Sequence, residues 1–161
     1  SMTIEKATGR KISDLVKEWF TDPLGFENNV FWQIDGKKNN SVKAYCCFNS
    51  NARDFARFGK LYKDFGKWNG NQILDSTFVV KSIKPRFKES SEYGYGFWLG
   101  EINKDIFFAM RGILGQYVIV IPEKNTIIVR LGERNNEKDN NRPKDFDVYF
   151  KESLKMLENS N

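Results

Sequence analysis

Tyr93-Gly-Tyr-Gly-Phe-Trp-Leu99, Asp105-Ile-Phe-Phe-Ala-Met-Arg-Gly-Ile-Leu-Gly-Gln116, Tyr117-Val-Ile-Val-Ile-Pro-Glu-Lys-Asn125 and Thr126-Ile-Ile-Val-Arg-Leu-Gly-Glu133 decide the fold. Each run is short, rich in β-branched and aromatic residues, and bounded by turn residues, as consecutive strands are. Ile106–Met110 and Tyr117–Ile121 are continuously apolar, which predicts strands covered on both faces. Pro122–Asn125 suits a tight hairpin, because proline pre-sets an early turn angle. Gly112-Ile-Leu-Gly115 is less ordinary, since its two glycines permit positive φ or close approach of another group. Asp105–Glu133 therefore reads as a three-stranded antiparallel meander, with Tyr93–Leu99 as a fourth strand.

On the N-terminal side, Thr3–Ala7 reads as a helical fragment closed by Gly9. Ser13 is placed to cap a helix running to Phe20, with Ile12 and Val16 as a hydrophobic staple. Leu15, Val16, Trp19 and Phe20 share a face at helical spacing, and Asp22-Pro23-Leu24-Gly25 stops the helix. Asn28 to Val42 reads as an irregular excursion, with Val30–Ile34 strand-like and Asp35–Ser41 a polar turn. The clearest helix runs from Asn49 to Tyr62, capped by Asn49 or Ser50. Its apolar face comprises Ala52, Phe55, Ala56, Gly59 and Tyr62. A glycine inside a helix costs on the order of 1 kcal/mol against alanine, so Gly59 predicts close packing of another element. Phe65–Gly70 reads as a turn, and a short helix from Ser76 ends before Pro85. Beyond the sheet, Asn135–Asn141 reads as a polar loop. Asp145–Leu157 closes the chain as an amphipathic helix with Phe146, Tyr149, Phe150, Leu154 and Leu157 inward.

The totals fit this reading. With 161 residues, 40% hydrophobic and 15% aromatic, the chain is long enough for one globular domain over residues 1–161 with a real core. Its mean hydropathy is −0.59, and no apolar run approaches the length of a membrane span. The net charge of +5 is spread among alternating acids and bases, which describes a solvated surface and not a nucleic-acid footprint. The absence of histidine rules out a histidine-based triad and most zinc sites within these residues. The cysteines, Cys46 and Cys47, are adjacent, give no metal spacing, and are expected as a buried, unbonded pair because a bond between neighbours is strained. Ser1-Met2 leads almost at once into helical sequence without a signal peptide, so the chain either starts elsewhere or is a piece of something longer.

The order of segments resembles a known family. Glu5-Lys-Ala-Thr-Gly9, Pro23-Leu-Gly-Phe26, Asn51-Ala-Arg-Asp-Phe-Ala-Arg-Phe-Gly59, Trp68-Asn-Gly-Asn-Gln-Ile-Leu74, Tyr93-Gly-Tyr-Gly-Phe-Trp98, Gly112-Ile-Leu-Gly-Gln116 and Pro122-Glu-Lys-Asn125 follow one another as in the C-terminal part of β-lactamase-related serine hydrolases. That group includes class C β-lactamases, DD-peptidases, esterases and amino-hexanoate oligomer hydrolases, and the last branch looks nearest. The resemblance implies an α+β fold: an antiparallel sheet flanked by helices, part of a β-lactamase/transpeptidase-like architecture. It implies acyl-enzyme chemistry on an amide, ester or β-lactam without a cofactor, and a periplasmic or secreted complete enzyme, though localisation itself stays unknown.

The family works through a Ser-x-x-Lys nucleophile, a Tyr-x-Asn or Tyr-x-Ser segment and a strand-borne third motif such as Lys-Thr-Gly or His-x-Gly. A serine needs a neighbouring base, and the acyl oxyanion needs backbone donors. No serine here has lysine three residues on, and no tyrosine has asparagine or serine two residues on. In the family both segments lie upstream of the Glu5–Gly9-like stretch, so the resemblance implies a C-terminal portion whose nucleophile lies elsewhere. The third motif maps onto Met110-Arg111-Gly112 or slightly later onto Gly115-Gln116. Arg111 then replaces the family's lysine or histidine, and an arginine can bind a carboxylate or amide oxygen. The backbone N–H of Ile113 would be half of an oxyanion hole. Alternatively, Gly112 and Gly115 only shape a hairpin turn.

Gly115, Gln116 and Trp32 are the substrate-binding candidates, Trp32 because binding residues concentrate on irregular segments. Tyr93 and Trp98 are read as core or rim aromatics. Arg53, Asp54 and Arg57 are read as ion pairs that fix packing. The alternative function is a non-catalytic binding module derived from the same fold. Without the N-terminal segment, the edge strand Thr126–Leu131 is expected to pair with a second copy or with an N-terminal fragment.

Overall fold

The computed structural model describes residues 2–27, 30–36, 41–134, 138–139 and 142–159, which form two compact units, Ser1–Arg57 and Phe58–Asn161.

The first unit opens with α1 (Met2–Thr8), which Gly9 ends in the left-handed conformation. Helix α2 (Ile12–Val16) is flanked at its start by Lys11, with no side-chain cap. Ser13 thus lies inside the helix and not at its cap. The chain winds through a π-helical turn, Lys17–Thr21, into α3 (Asp22–Leu24) and stops at the left-handed Gly25. The wider turn re-phases the side chains. Leu15 and Leu24 are buried, whereas Trp19, expected on the same face as Leu15, points to solvent at 57% exposure. Strands β1 (Phe31–Trp32) and β2 (Phe48–Asn49) pair antiparallel, and Ile34 bridges Val42. The centre of the polar turn expected at Asp35–Ser41, and residues 28–29 of the excursion, lie outside the described residues.

Helix α4 (Ala52–Lys63) contributes its first half to this unit and its second half to the next. Its cap is Asn51, whose Oδ1 accepts from the Asp54 N–H at 3.0 Å, one or two residues later than the sequence suggests. Asp54 is fully buried. It accepts from the Glu27 N–H at 3.2 Å, from Asn51 Nδ2 at 3.2 Å and from Ser50 Oγ, and it pairs with Arg57. The ion pair therefore fixes packing, as the sequence suggests, while Arg53 is exposed.

In the second unit, β3 (Lys67–Trp68) and β4 (Asn71–Gln72) form a small hairpin where a turn is expected. Helix α5 (Ser76–Ser82) is capped by Asp75, which accepts from the Phe78 N–H at 2.8 Å. The main sheet comprises β5 (Trp98–Ile102), β6 (Asp105–Arg111), β7 (Tyr117–Ile121) and β8 (Thr126–Arg130), antiparallel in that order. The meander is as read. The fourth strand begins later than expected, because Tyr93–Phe97 is held in a turn: Gly94 N–H bonds Phe97 O, and Tyr95 N–H bonds Ser82 O. A Cβ on Gly94 would collide with that Ser82 carbonyl, so only a glycine lets the backbone pass there.

Every residue of β7 is buried. Tyr117, Ile119 and Ile121 face a core shared with Phe107, Ala109, Phe146 and Phe150, the last two from α6 (Lys144–Glu158). Val118 and Val120 face Gly59 of α4, where an added Cβ would lie 3.1–3.2 Å from Val118, Val120 and Ile127. Two covered faces are why β7 is apolar without alternation, and a backbone-to-sheet approach is why α4 carries a glycine. Strand β6 is covered only in part, since Ile106 is 56% exposed. On α6, Phe146 and Phe150 are buried and Leu154 packs beside them, while Tyr149 and Leu157 sit at the exposed edge. Lys138–Asp139, inside the expected loop Asn135–Asn141, pairs antiparallel with Arg142–Pro143 just beyond it, and the loop's other residues lie outside the described ones.

Candidate functional site

The β6–β7 hairpin gathers five of the six candidate residues. Strand β6 ends at Arg111, opposite Tyr117 of β7, and residues 112–116 form the connection. Gly112 N–H donates to Gln116 O at 2.7 Å, and Gly115 N–H to Gly112 O at 3.2 Å. The Gln116 side chain folds back over the turn: its Oε1 accepts from the Leu114 N–H at 3.3 Å and its Nε2 donates to Gly132 O. Ile113 and Leu114 form an exposed apolar tip, 88% and 50% accessible.

The two glycines are required for different reasons. Gly115 has φ +85°, and a Cβ there would strike Arg130 Nη1 and lie 2.5 Å from Arg134 O. Gly112 has no positive φ, and its added Cβ would meet only the Gln116 side chain. Gly115 is thus fixed by backbone conformation and backbone neighbours, Gly112 by one movable side chain.

Arg111 lies with its guanidinium carbon 3.7 Å from the centroid of the Trp98 ring, and Tyr93 meets Trp98 edge-on at 5.0 Å. Burial pushes the Arg111 guanidinium below its ordinary value, with Tyr117 and Tyr93 acting in the other direction. Arginine's intrinsic basicity keeps it charged nonetheless. A cation–π contact holds such a group over the ring, and the N–H edges of a guanidinium match the geometry of a planar anion. Tyr93 and Trp98, read as core or rim, hold Arg111 in place beside Gly112.

Behind the turn sits a second arginine, Arg130, a single charge within the otherwise uncharged strand β8. Arg130 donates to Gly115 O and, at 2.9 Å, to Arg134 O; it lies 5.5 Å from the Tyr117 ring and 5.2 Å from the Tyr149 ring. Tyr117 donates its hydroxyl to Asp145 Oδ1 at 3.1 Å. Burial first, then Asp145, pushes the Tyr117 hydroxyl up to about 12. A single charge inside an apolar strand was the available signal, because a half-buried arginine demands acceptors.

Trp32 lies in the first unit. Its indole N–H is shared between Lys43 O at 3.0 Å and Cys46 O at 2.9 Å, and its ring meets Phe48 edge-on at 5.4 Å. Together with Val16, Phe26, Val30 and Val42 these two aromatics line a pocket of about 420 Å³. The cysteines depart from expectation: Cys46 and Cys47 are disulfide-bonded, Cys46 is exposed, and Cys47 is only partly covered. The tight turn from Lys43 to Cys47, in which Cys46 N–H bonds Lys43 O at 2.9 Å and Cys47 takes φ +68°, leaves no interior for the pair. Among the described residues, no group of three or more Asp, Glu, Cys or His could hold a metal ion, and no helix is long and apolar enough to cross a membrane.

An antiparallel sheet between helices, with a glycine-flanked hairpin beside a half-buried arginine, makes this an α+β domain. The chain belongs to the Beta-lactamase family, which it matches over residues 1–149. Among solved structures, it resembles a Bacillus anthracis protein provisionally assigned as a 6-aminohexanoate-dimer hydrolase, with a TM-score of 0.73, 23% identity, 96% of this chain and 39% of that one covered. A Bacteroides dorei protein provisionally assigned as a β-lactamase gives a TM-score of 0.59 and 19% identity, covering 84% of this chain and 48% of that one. The chain thus spans less than half the length of either. No curated protein matches it.

Proposed function

We propose that these residues supply the sheet wall of a serine hydrolase that acts on an amide, ester or β-lactam through an acyl-enzyme. The carrying observation is the β6–β7 hairpin, with the charged Arg111 guanidinium over the Trp98 ring next to Gly112. In this reading Arg111 meets a carboxylate or amide oxygen of the substrate. The Ile113 N–H contributes to the oxyanion hole, and Gly115 and Gln116 shape the rim. Trp32 is a ligand-binding candidate within the first unit's own pocket. The Ser-x-x-Lys nucleophile, absent from these 161 residues, comes from a segment outside them. The expected outcome is no fluorophosphonate labelling and no turnover of a chromogenic cephalosporin or p-nitrophenyl ester by this chain alone. In a protein that carries it together with a Ser-x-x-Lys segment, Gly112→Val lowers kcat by on the order of 10²-fold, as loss of an oxyanion donor does. A labelled serine in the isolated chain would overturn the division of labour, and full kcat in a folded Gly112→Val protein would reduce the glycine to a turn residue.

One observation favours the alternative of a non-catalytic module. The Gly112 and Leu114 N–H groups are both bonded to Gln116, so the turn satisfies two of its donors by itself. Fluorophosphonate labelling of a protein that joins this chain to a Ser-x-x-Lys segment separates the two readings: a labelled serine supports the enzyme, and no label supports the module.

We also propose that β8 recruits a partner strand. Among the described residues it pairs only with β7, and Arg130 is its single charge. A bare apolar edge templates pairing with a second copy or an N-terminal fragment. Sedimentation should show self-association that rises with concentration, or disappears when a fragment is added. A monomer at high concentration whose Ile127–Val129 amides exchange freely refutes it.

A further inference from the structure

We propose that the Cys46–Cys47 bond is a thiol–disulfide switch, opened by an external dithiol, whose opening removes one of the two acceptors of the Trp32 indole N–H and reshapes the pocket that it lines. The bond is accessible: Cys46 is exposed, as are Ala44 and Tyr45 before it, the latter 79% accessible. Its backbone is also wired into the first unit. The carbonyl of Cys46 accepts from the Trp32 indole at 2.9 Å. The carbonyl of Cys47 accepts from the Gln33 N–H at 3.2 Å and from Asn49 Nδ2 at 2.9 Å. Thus two adjacent carbonyls hold one end of β1, one end of β2 and the aromatic side chain between them.

Closing a ring through neighbouring residues fixes the peptide unit that joins them, and with it the direction of both carbonyls. Cys47 sits at φ +68°, a region that L-residues other than glycine, asparagine and aspartate seldom occupy. Opening the ring removes the covalent constraint, so the Cys47 backbone is free to leave that region and carry its carbonyl away from Gln33. The Cys46 carbonyl then leaves the indole N–H, which is held by the Lys43 carbonyl alone and gains freedom to move. Trp32 and Phe48 meet edge-on and both face the pocket of about 420 Å³, so movement of the indole changes the space available to a ligand.

The chemistry balances with a dithiol as the named co-reactant. One thiolate of the dithiol attacks Cys46 Sγ, the S–S bond breaks, and Cys47 leaves as a thiolate that takes up a proton. The second thiol of the reductant attacks the mixed disulfide, freeing the Cys46 thiol and leaving the reductant as a cyclic disulfide. Two electrons pass from the dithiol to the protein.

The test uses the full chain. Air-equilibrated protein should take up no iodoacetamide, and protein titrated with dithiothreitol should take up two labels, at Cys46 and Cys47, by peptide mass spectrometry. Two labels without reductant overturn the proposal. On reduction, the Trp32 indole N–H should exchange with deuterium at least tenfold faster, and the methyl resonances of Val30 and Val42 should shift. The Val120 amide in the second unit should be unchanged. Oxidised glutathione should restore the starting spectrum. Reduction that leaves Trp32 exchange and the valine methyls as they were overturns the coupling. Cys47→Ser should reproduce the reduced spectrum and ignore the reductant. If that variant loses Val120 protection through unfolding, the titration of the unsubstituted protein decides alone.

Discussion

Replacing Gly115 by alanine should destabilise the chain by about 3 kcal/mol, and replacing Gly112 by alanine by about 1 kcal/mol. The difference follows from what each glycine touches. At Gly115 the left-handed backbone costs an L-residue roughly 1–2 kcal/mol. The new methyl also meets Arg134 O, which is backbone, and the far end of the Arg130 side chain. Arg130 must withdraw, losing its charge-assisted bond to Gly115 O, an interaction of about 1.5–3 kcal/mol. Some relaxation of the turn offsets part of that sum. At Gly112 the backbone is unstrained, and the methyl displaces only Gln116, which gives up the Leu114 N–H contact, about 1 kcal/mol. For a chain of this length these losses correspond to Tm shifts of roughly 6–12 °C and 2–4 °C. Urea unfolding followed by tryptophan fluorescence measures both variants against the parent. The reasoning is refuted if Gly115→Ala lies within about 0.5 kcal/mol of the parent, a change typical of an uninvolved surface site, or if Gly112→Ala is the more damaging. The contrast also matters for function, because it leaves Gly112 as the glycine whose substitution can be read kinetically in a folded protein.

Asp54→Ala should cost about 3 kcal/mol or more in urea unfolding, since it strands Arg57 and the Glu27 N–H around a fully buried site; a loss under about 1 kcal/mol would show that the knot is dispensable. Tyr117 predicts a stability slope at alkaline pH. Its hydroxyl rises from an ordinary 10.0 to about 12 in the folded chain, so the folded state keeps the proton longer. The stabilisation is fully present below pH 10 and is lost as pH rises through about 12, on the order of 2 kcal/mol in all. Tyr117→Phe should be less stable at pH 9 through loss of the Asp145 bond and should lack this share of the decline. Equal slopes for the two proteins between pH 9 and 11 would rule out Tyr117 as the source.

The sequence alone determined the sheet meander, the closing helix and the close approach at Gly59. These depend on patterns within a few residues: a fully apolar β7, a 3.6-residue spacing on α6, a glycine inside a strong helix. Each side chain's role there is set by burial, which hydropathy reports directly. The ordered segments likewise carried the family resemblance. What only tertiary structure decided are the features that depend on a partner distant in the chain. Tyr93–Phe97 reads as strand until the Ser82 carbonyl, reached through α5, occupies the space beside Gly94. Trp19 shares a helical face with Leu15 on paper, and one π-helical turn takes it off that face. Arg130 reads as a charge on an edge strand, yet it props the far side of the hairpin through Gly115 and Arg134. The bond between Cys46 and Cys47 depends on a left-handed residue that no composition signals. Local patterns fix which residues are covered; backbone conformation and long-range acceptors fix what each covered residue holds in place.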